Sequence, residues 1–201
     1  MTTTKDTRSR GRPRQFDPEH ATDVAQQLFH ARGYDDVSVA EVTAALGINT
    51  PSFYSAFGSK AGLYKRVIER YGTNGAVPLG ALLRDDRPVA ECLKDVLEAA
   101  ARLYSADPEA TGCIVLEGCR STDAEARTAA RAAHLAAEEL IHDYIARRHP
   151  EQARELATYV STVMNGLSAK ARMGQSQASL LSSARLAGLA LGQVLPAGAR
   201  E

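Results

Sequence analysis

Hydroxyl-bearing side chains crowd the stretch LGINTPSFYSAFGSK, which spans residues 46–60. Such groups can donate hydrogen bonds to phosphate oxygens, or to base edges when a helix enters the major groove of DNA. The residues concerned are Thr50, Ser52, Tyr54 and Ser55, with Pro51 among them. Lys60 ends the stretch with a cation that can approach a phosphate. These residue types and their spacing indicate recognition of DNA.

A second group of cations lies near the N-terminus. The 201-residue chain has a formal net charge of zero, but residues 1–15 carry five basic side chains and one acid, Asp6. In the segment RGRPR, arginines alternate with Gly and Pro, which keeps the backbone slim. A narrow minor groove has a negative potential that attracts arginine, so we predict DNA contacts from Arg10, Arg12 and Arg14.

Short, well-capped helices must position these groups. Asp17 and Pro18 open a first helix that Gly33 ends, and Ser38 with Glu41 forms the S-x-x-E capping box of a second. A third helix follows after only three or four residues, which is the spacing of a helix-turn-helix connection. Its cap is either Asn49 or Thr50, and Pro51 is expected to be its first residue.

The third helix has two different faces. Phe53 and Phe57 lie four residues apart on one side and are predicted to fasten the helix to an aromatic core. Tyr54 lies one step round the helix, so it is predicted to face DNA. Ser59 caps a fourth helix, which places Lys60 in the first turn, where the helix dipole disfavours a cation unless an anion lies nearby. A DNA phosphate would supply that anion.

The composition changes along the chain. Eight of the eleven aromatic residues lie within the first 71 positions, and beyond them the apolar residues are mostly Ala, Leu and Val. A stretch containing Gly and Pro, residues 71–88, separates the two regions. We therefore expect two cores, with a flexible basic arm at 1–15, a helix-turn-helix domain at 16–75 and a second helical domain at 76–201.

Helical periodicity continues through the second region, with helices predicted at 88–106, 113–120, 123–148, 150–173 and 177–195. No segment alternates long enough to form a strand, so the predicted fold is all-α. No apolar run approaches the roughly 20 residues of a membrane span, and no signal peptide is recognisable. A cytoplasmic location is expected.

Motifs of the common enzyme classes are not found. The chain has no G-x-S-x-G elbow, H-E-x-x-H helix, Walker loop or Rossmann glycine pattern, so we expect neither an enzyme nor a cofactor. Its three cysteines lack the paired spacing of metal ligands, and no metal site is expected. A redox pair of Cys113 and Cys119 stays open, although about 9 Å of helical rise would separate them in one continuous helix.

The residues from Arg10 to about Gly72 resemble the DNA-binding region of the tetracycline-repressor (TetR) family. The resemblance is carried by Gly33-Tyr34, the helix opening at Ser38, Leu46-Gly47-Ile48, Phe53-Tyr54, Phe57 and Ser59-Lys60. It implies a homodimeric repressor that binds a palindromic operator, while the domain at 76–201 dimerises and binds a small-molecule effector that releases DNA.

The resemblance also directs attention to the last two long helices, through which this family dimerises. A stripe of apolar residues on one, and small residues every four positions on the other, suggest a four-helix contact across a two-fold axis. The predicted interface residues are Leu156, Val160, Val163, Leu167, Leu181, Ala184, Gly188 and Gly192.

If the family pattern holds, an effector pocket lies among the helices at 88–106, 113–148 and 150–173. Candidate ligand-binding residues are Tyr104, Cys113, Leu116, Glu117, Cys119, Tyr159 and Met164. With few aromatic residues in this region, an aliphatic pocket is favoured over one built on stacking. Two alternative functions remain: a redox-sensing regulator that uses Cys113 and Cys119, and a helical protein that binds DNA without sequence preference.

Overall fold

A computed structural model of the chain describes residues 17–195. Its helices are α1 (Pro18–Arg32), α2 (Val39–Leu46), α3 (Thr50–Phe57), α4 (Lys60–Asn74), α5 (Leu79–Leu82), α6 (Val89–Leu103), α7 (Ile114–Gly118), α8 (Ala124–Ala146), α9 (Ala153–Arg172) and α10 (Gln177–Val194), with a 3-10 turn at Pro150–Gln152. No strand occurs between residues 17 and 195, which confirms the all-α prediction. The basic arm, with Arg10, Arg12 and Arg14, lies outside the described residues.

The predicted helix caps are present. Asp17, Ser38 and Ser59 each accept a hydrogen bond from a backbone amide in the first turn of α1, α2 and α4. The open choice for α3 is settled in favour of Asn49, so Pro51 is the second helical residue and not the first. Local capping thus fixes where the first four helices begin.

We call α1–α3 the head and α5–α10 the body, and α4 joins them. The expectation of two separate cores is wrong, because the buried residues form one continuous cluster through both parts. Tyr64 of α4 shows why: its ring meets Phe29 of the head edge-on at 5.4 Å, and its hydroxyl donates to the carbonyl of Ile114 in the body at 3.0 Å. The boundary near residue 75 stays a prediction.

In the body, α10 packs along α6 and α8 packs against α4 and α9. The approach of α10 to α6 is close at Gly188, where an added Cβ would lie 2.7 Å from Cγ of Lys94. At Gly188, the strip of small residues therefore serves contact within one subunit. Within residues 17–195, no helix is both long and apolar enough to cross a bilayer.

The chain's own packing buries most of the residues predicted for the dimer interface, which stays a prediction. Leu156, Val160, Leu167, Ala184 and Gly188 are buried by the chain's own helices. Val163 and Leu181 are half-buried, and Gly192 is exposed. The periodic stripe was correct as a packing face, but its partner is the same chain.

Candidate DNA-binding face and ligand cavity

The N-terminal end of α3 presents a continuous polar face to solvent. Its exposed residues are Thr50, Pro51, Ser52, Tyr54 and Ser55. Tyr54 keeps 49% of its surface exposed, whereas the neighbouring Phe53 is fully buried and Phe57 nearly so. The two phenylalanine rings lie 5.5 Å apart in the core of the head. The helix is thus held from behind, and its hydroxyl groups are left free to bind.

A tight turn brings α3 against α2. Gly47 ends α2 in the left-handed conformation, with φ 64°, which a residue with a side chain adopts at a cost. Asn49 then begins the cap of α3 two residues later. This arrangement is a helix-turn-helix, and it places the start of α3 at the surface.

Ser38 is exposed at the start of α2, where its hydroxyl takes part in the capping box. Its Oγ accepts from the amide of Glu41 at 3.2 Å and donates to the Glu41 carboxylate at 2.7 Å. The amide of Ser38 donates to that carboxylate as well, and Arg32 pairs with it at 2.6 Å. These contacts lower the pKa of Glu41 to about 2, the backbone hydrogen bond from Ser38 contributing most.

Lys60 lies differently from the prediction. Its ammonium donates to the carbonyls of Tyr34 at 3.0 Å and Val37 at 2.9 Å, and it stands 4.0 Å from the centre of the Tyr34 ring. The anion expected beside this cation is therefore replaced by two carbonyl oxygens and an aromatic face. Lys60 braces the loop between α1 and α2, and its direct contact with a phosphate is not supported.

A cavity of about 620 Å³ lies among α4, α5, α7, α8 and α9. Its inner wall is apolar and includes Ile68, Val77, Leu116, Ile141 and Met164. Three charged side chains also line it: Lys65 and Glu69 are exposed to solvent, and Glu138 is half-buried. One side is a wall of alanines on α8, formed by Ala129, Ala132, Ala133, Ala136 and Ala137. Volume and lining are those of a site for a small, mainly apolar molecule.

Four of the predicted ligand-binding residues line this cavity: Tyr104, Cys113, Leu116 and Met164. Glu117 does not, because its carboxylate pairs with Arg120 at 3.0 Å and with Arg172 at 3.3 Å. Cys119 lies outside the lining, and Tyr159 is exposed in a groove between α9 and α10.

Sequence reasoning missed the contribution of α4 and α5, which supply residues from Lys65 to Gly80. It also missed the alanine wall, although alanines at positions 129, 132, 133, 136 and 137 follow helical spacing. That pattern was available as a signal, because small side chains on one helical face leave room beside it.

The buried end of the cavity holds Tyr71, Tyr104 and Cys113 close together. Burial raises the pKa of both phenols, so they are neutral at physiological pH. The Tyr71 hydroxyl has no conventional hydrogen-bond partner among the described residues, and its polar neighbour is the Cys113 thiol, a weak acceptor. This end of the cavity therefore offers no charge to a ligand.

The cysteine geometry does not favour redox sensing. Cys113 and Cys119 stand at opposite ends of α7, and both are free thiols. Burial raises the pKa of each, which lowers the thiolate fraction that oxidation requires. Arg120, the neighbour of Cys119 in the chain, pairs with Glu117.

A helix-turn-helix head joined to a helical body with a ligand-sized cavity defines the class of one-component DNA-binding regulators. Residues 21–67 match the sequence profile of bacterial regulatory proteins of the tetR family. The HTH-type transcriptional repressor BdcR of Escherichia coli K12 is 54% identical over 195 residues, which are 97% of this chain and 99% of that protein. The chain therefore belongs to the TetR family and is a DNA-binding transcriptional regulator, as the resemblance implied.

Other relatives agree with this assignment. The HTH-type transcriptional repressor ComR of the same E. coli strain is 28% identical over 188 residues, 88% of this chain and 90% of ComR. Among solved structures, a cysteine mutant of the TetR family regulator CifR, complexed with 26 bp double-strand operator DNA, matches with a TM-score of 0.81 at 28% identity. That match covers 89% of this chain and 99% of CifR.

Proposed function

We propose that this chain is a repressor that binds a palindromic operator as a homodimer and leaves it when a small, mainly apolar effector enters the cavity. The observation that carries the proposal is the exposed polar start of α3, held from behind by Phe53 and Phe57. The named function of BdcR as a repressor and the operator-bound state of CifR support the same reading.

In this proposal α3 enters the major groove. Thr50, Ser52, Tyr54 and Ser55 would read phosphates and base edges, with Pro51 packed against the DNA backbone. Ser38 at the start of α2 would approach the phosphates that flank the groove. Arg10, Arg12 and Arg14 would follow the adjacent minor groove.

Dimerisation would use the outer face of the last two helices. Leu186 and Leu189 of α10 are 66% and 67% exposed, and Val194 is 50% exposed. Val194 shares a groove with Tyr159 of α9. Apolar side chains exposed together in this way mark a surface that a partner covers. We propose a second copy as the partner, with Gly192 allowing close approach and Val163 and Leu181 at the edge.

The effector would act by preferring one arrangement of the dimer. An operator that is read by two heads requires half-sites about 34–36 Å apart, or a multiple of that distance. A ligand that favours another separation of the heads weakens binding by the coupling free energy, typically about 1–3 kcal/mol. We also infer that the protein acts by binding DNA and effector and not by catalysing a reaction. We place it in the cytoplasm, and we place a domain boundary near residue 75.

The first test is selection of bound duplexes from a random library, with excess non-specific competitor at moderate salt. Recovery of a palindrome is the expected result, because two related heads read related half-sites. Recovery of no motif would favour binding without sequence preference and would remove the repressor proposal.

Thr50→Ala should weaken binding to the recovered palindrome, whereas Thr128→Ala, on the exposed side of α8, serves as the matched control.

A further inference from the structure

A set of polar contacts, one of them from the core residue Tyr34, joins the head to the body. The carboxylate of Asp35, in the loop between α1 and α2, accepts hydrogen bonds from the Ser121 hydroxyl at 2.7 Å and the Thr122 amide at 2.8 Å. The hydroxyl of Tyr34 donates to Asp123 at 3.1 Å. We call these five residues the head–body junction.

On the body side, the junction is continuous with α8. Asp123 receives Tyr34 on one carboxylate oxygen, while the other caps α8 by accepting from the amides of Glu125 and Ala126 at 2.9 and 3.0 Å. Arg127, in the first turn of α8, donates to the carbonyl of Ser121 at 2.6 Å. Because α8 carries the alanine wall of the cavity, a displacement of α8 must move the groups that hold the head.

On the head side, the junction is continuous with the starts of α2 and α4. Lys60, the first residue of α4, donates to the carbonyls of Tyr34 and Val37. Val37 immediately precedes Ser38, the cap of α2. The loop therefore cannot shift without shifting the first turns of both helices, and α2 positions α3 through the turn at Gly47.

The charges of the junction are matched. Burial opposes ionisation of Asp35, yet the hydrogen bonds from Thr122 and Ser121 and the nearby ammonium of Lys60 lower its pKa. The backbone hydrogen bond from Ala126 lowers the pKa of Asp123, and Tyr34 and Lys60 act in the same direction. Both carboxylates are therefore ionised at neutral pH around one cation.

We propose that Asp35 and Tyr34 are positioning residues for operator recognition: the head–body junction sets the angle of the head on the body and thereby the separation of the two heads in the dimer. The proposal rests on the function proposed above. Neither residue touches DNA in this account. They act by fixing which half-site spacing the dimer fits. They also connect α8 to the head, so that a displacement of α8 by a ligand in the cavity moves the head.

The test compares wild type with Asp35→Asn and Tyr34→Phe. The amide in Asp35→Asn cannot accept from both Ser121 and Thr122, and Tyr34→Phe keeps the ring beside Lys60 but removes the hydrogen bond to Asp123. Asp36→Asn is the matched control, because no hydrogen bond or ion pair of the Asp36 carboxylate occurs within residues 17–195. The probes are the palindrome selected by wild type, the same duplex with one or two base pairs added to or removed from its centre, and a single half-site.

We expect both junction variants to bind the native spacing about fivefold or more weakly and to distinguish less between native and altered spacings. Half-site affinity should stay close to wild type, as should every measurement on Asp36→Asn. Equal loss of half-site and full-operator binding would show that the residues only maintain the fold of the head, and would overturn the proposal. Unchanged spacing preference would overturn it as well. If wild type itself selects no palindrome, it is the repressor proposal that fails first.

Discussion

At the scale of single residues, exposure separates binding from packing. Phe53 and Tyr54 are neighbours with similar side chains, yet one is fully buried and the other half-exposed. Helical geometry predicted this difference, since two adjacent positions cannot share a face. Local geometry also predicted the caps at Asp17, Ser38 and Ser59. It did not predict the partner of Lys60, because the carbonyls that it meets lie 23 and 26 residues earlier in the chain.

Tyr54→Phe should weaken operator binding about fivefold, the effect of losing one hydrogen bond worth roughly 1 kcal/mol. The side chain is exposed, so the unfolding free energy should not change. Fluorescence anisotropy with the selected palindrome measures the effect, and Thr128→Ala, on the exposed side of α8, is the control. Equal affinity of wild type and Tyr54→Phe would show that this hydroxyl does not contact DNA.

Lys60→Met should act on stability and not on the charge of the DNA-binding face. The variant keeps an apolar stem but loses two hydrogen bonds from a charged donor, so the unfolding free energy should fall by about 1–3 kcal/mol. The dependence of operator affinity on salt concentration should keep its slope, because no phosphate contact is removed. Lys65→Met, on the same helix, should leave stability unchanged. A slope reduced by about one contact would return Lys60 to the DNA interface.

Glu41 makes a stability contribution that depends on pH. Its pKa falls from 4.5 to about 2 in the folded chain, so the contribution is present above pH 4.5 and is lost as the pH falls through about 2. Urea unfolding of wild type and Glu41→Gln should therefore differ at pH 6, and the difference should narrow as the pH falls below 4.5. Glu109→Gln, in an exposed loop, should show no such narrowing. If the difference in unfolding free energy between wild type and Glu41→Gln stayed constant with pH, the lowered pKa of Glu41 would be contradicted.

At the scale of elements, the sequence predicted the long helices to within a few residues because each has its own helical period. The short α5 escaped prediction, since four residues are too few to show a period. The full lining of the cavity was not predicted from the sequence, for a different reason. Its walls come from α4, α5, α7, α8 and α9, and only the packing of helices distant in sequence brings them together.

The contact of α7 with Tyr64 of α4 depends on a glycine. A Cβ at Gly118 would lie 2.0 Å from the Tyr64 hydroxyl and 2.9 Å from Cβ of Ala130. Gly118→Ala should therefore lower the unfolding free energy by about 1–3 kcal/mol through overpacking. Adding Tyr64→Phe removes the nearest atom, so the double variant should recover part of that loss. A double-mutant cycle by chemical denaturation measures both effects, and strictly additive losses would argue against the contact.

At the scale of the whole molecule, packing within one chain buries some apolar helix faces and leaves others exposed to solvent. Most of the residues predicted to form the dimer interface are buried in the chain's own core. Contact within a subunit and contact between subunits require the same helical period, so the sequence pattern does not distinguish them. Which of two apolar faces is buried cannot be decided from the period alone. The structure decides it by covering Leu156 and Ala184 and leaving Leu186 and Leu189 exposed.

Leu189→Glu should convert the dimer into a monomer, because it places a charge in an apolar contact between α10 and its symmetry mate. Light scattering at micromolar concentration measures the change, and operator affinity should fall with it. Leu135→Glu is the control, since Leu135 is also exposed, at 62%, but lies on α8. A wild-type protein that is monomeric at this concentration, or a Leu189→Glu variant that stays dimeric, would exclude the proposed face.

The alanine wall of α8 has a consequence for how this regulator can change. None of its five alanines is fully buried in the core, and each borders the cavity through a single methyl group. A larger side chain at any one of them would take volume from the cavity while leaving α3 and its hydroxyl groups untouched. In the proposed function, a substitution in this wall changes which effector is sensed and leaves the recognised operator unchanged. A library of variants confined to the alanine wall is therefore a direct route to biosensors that respond to other small molecules.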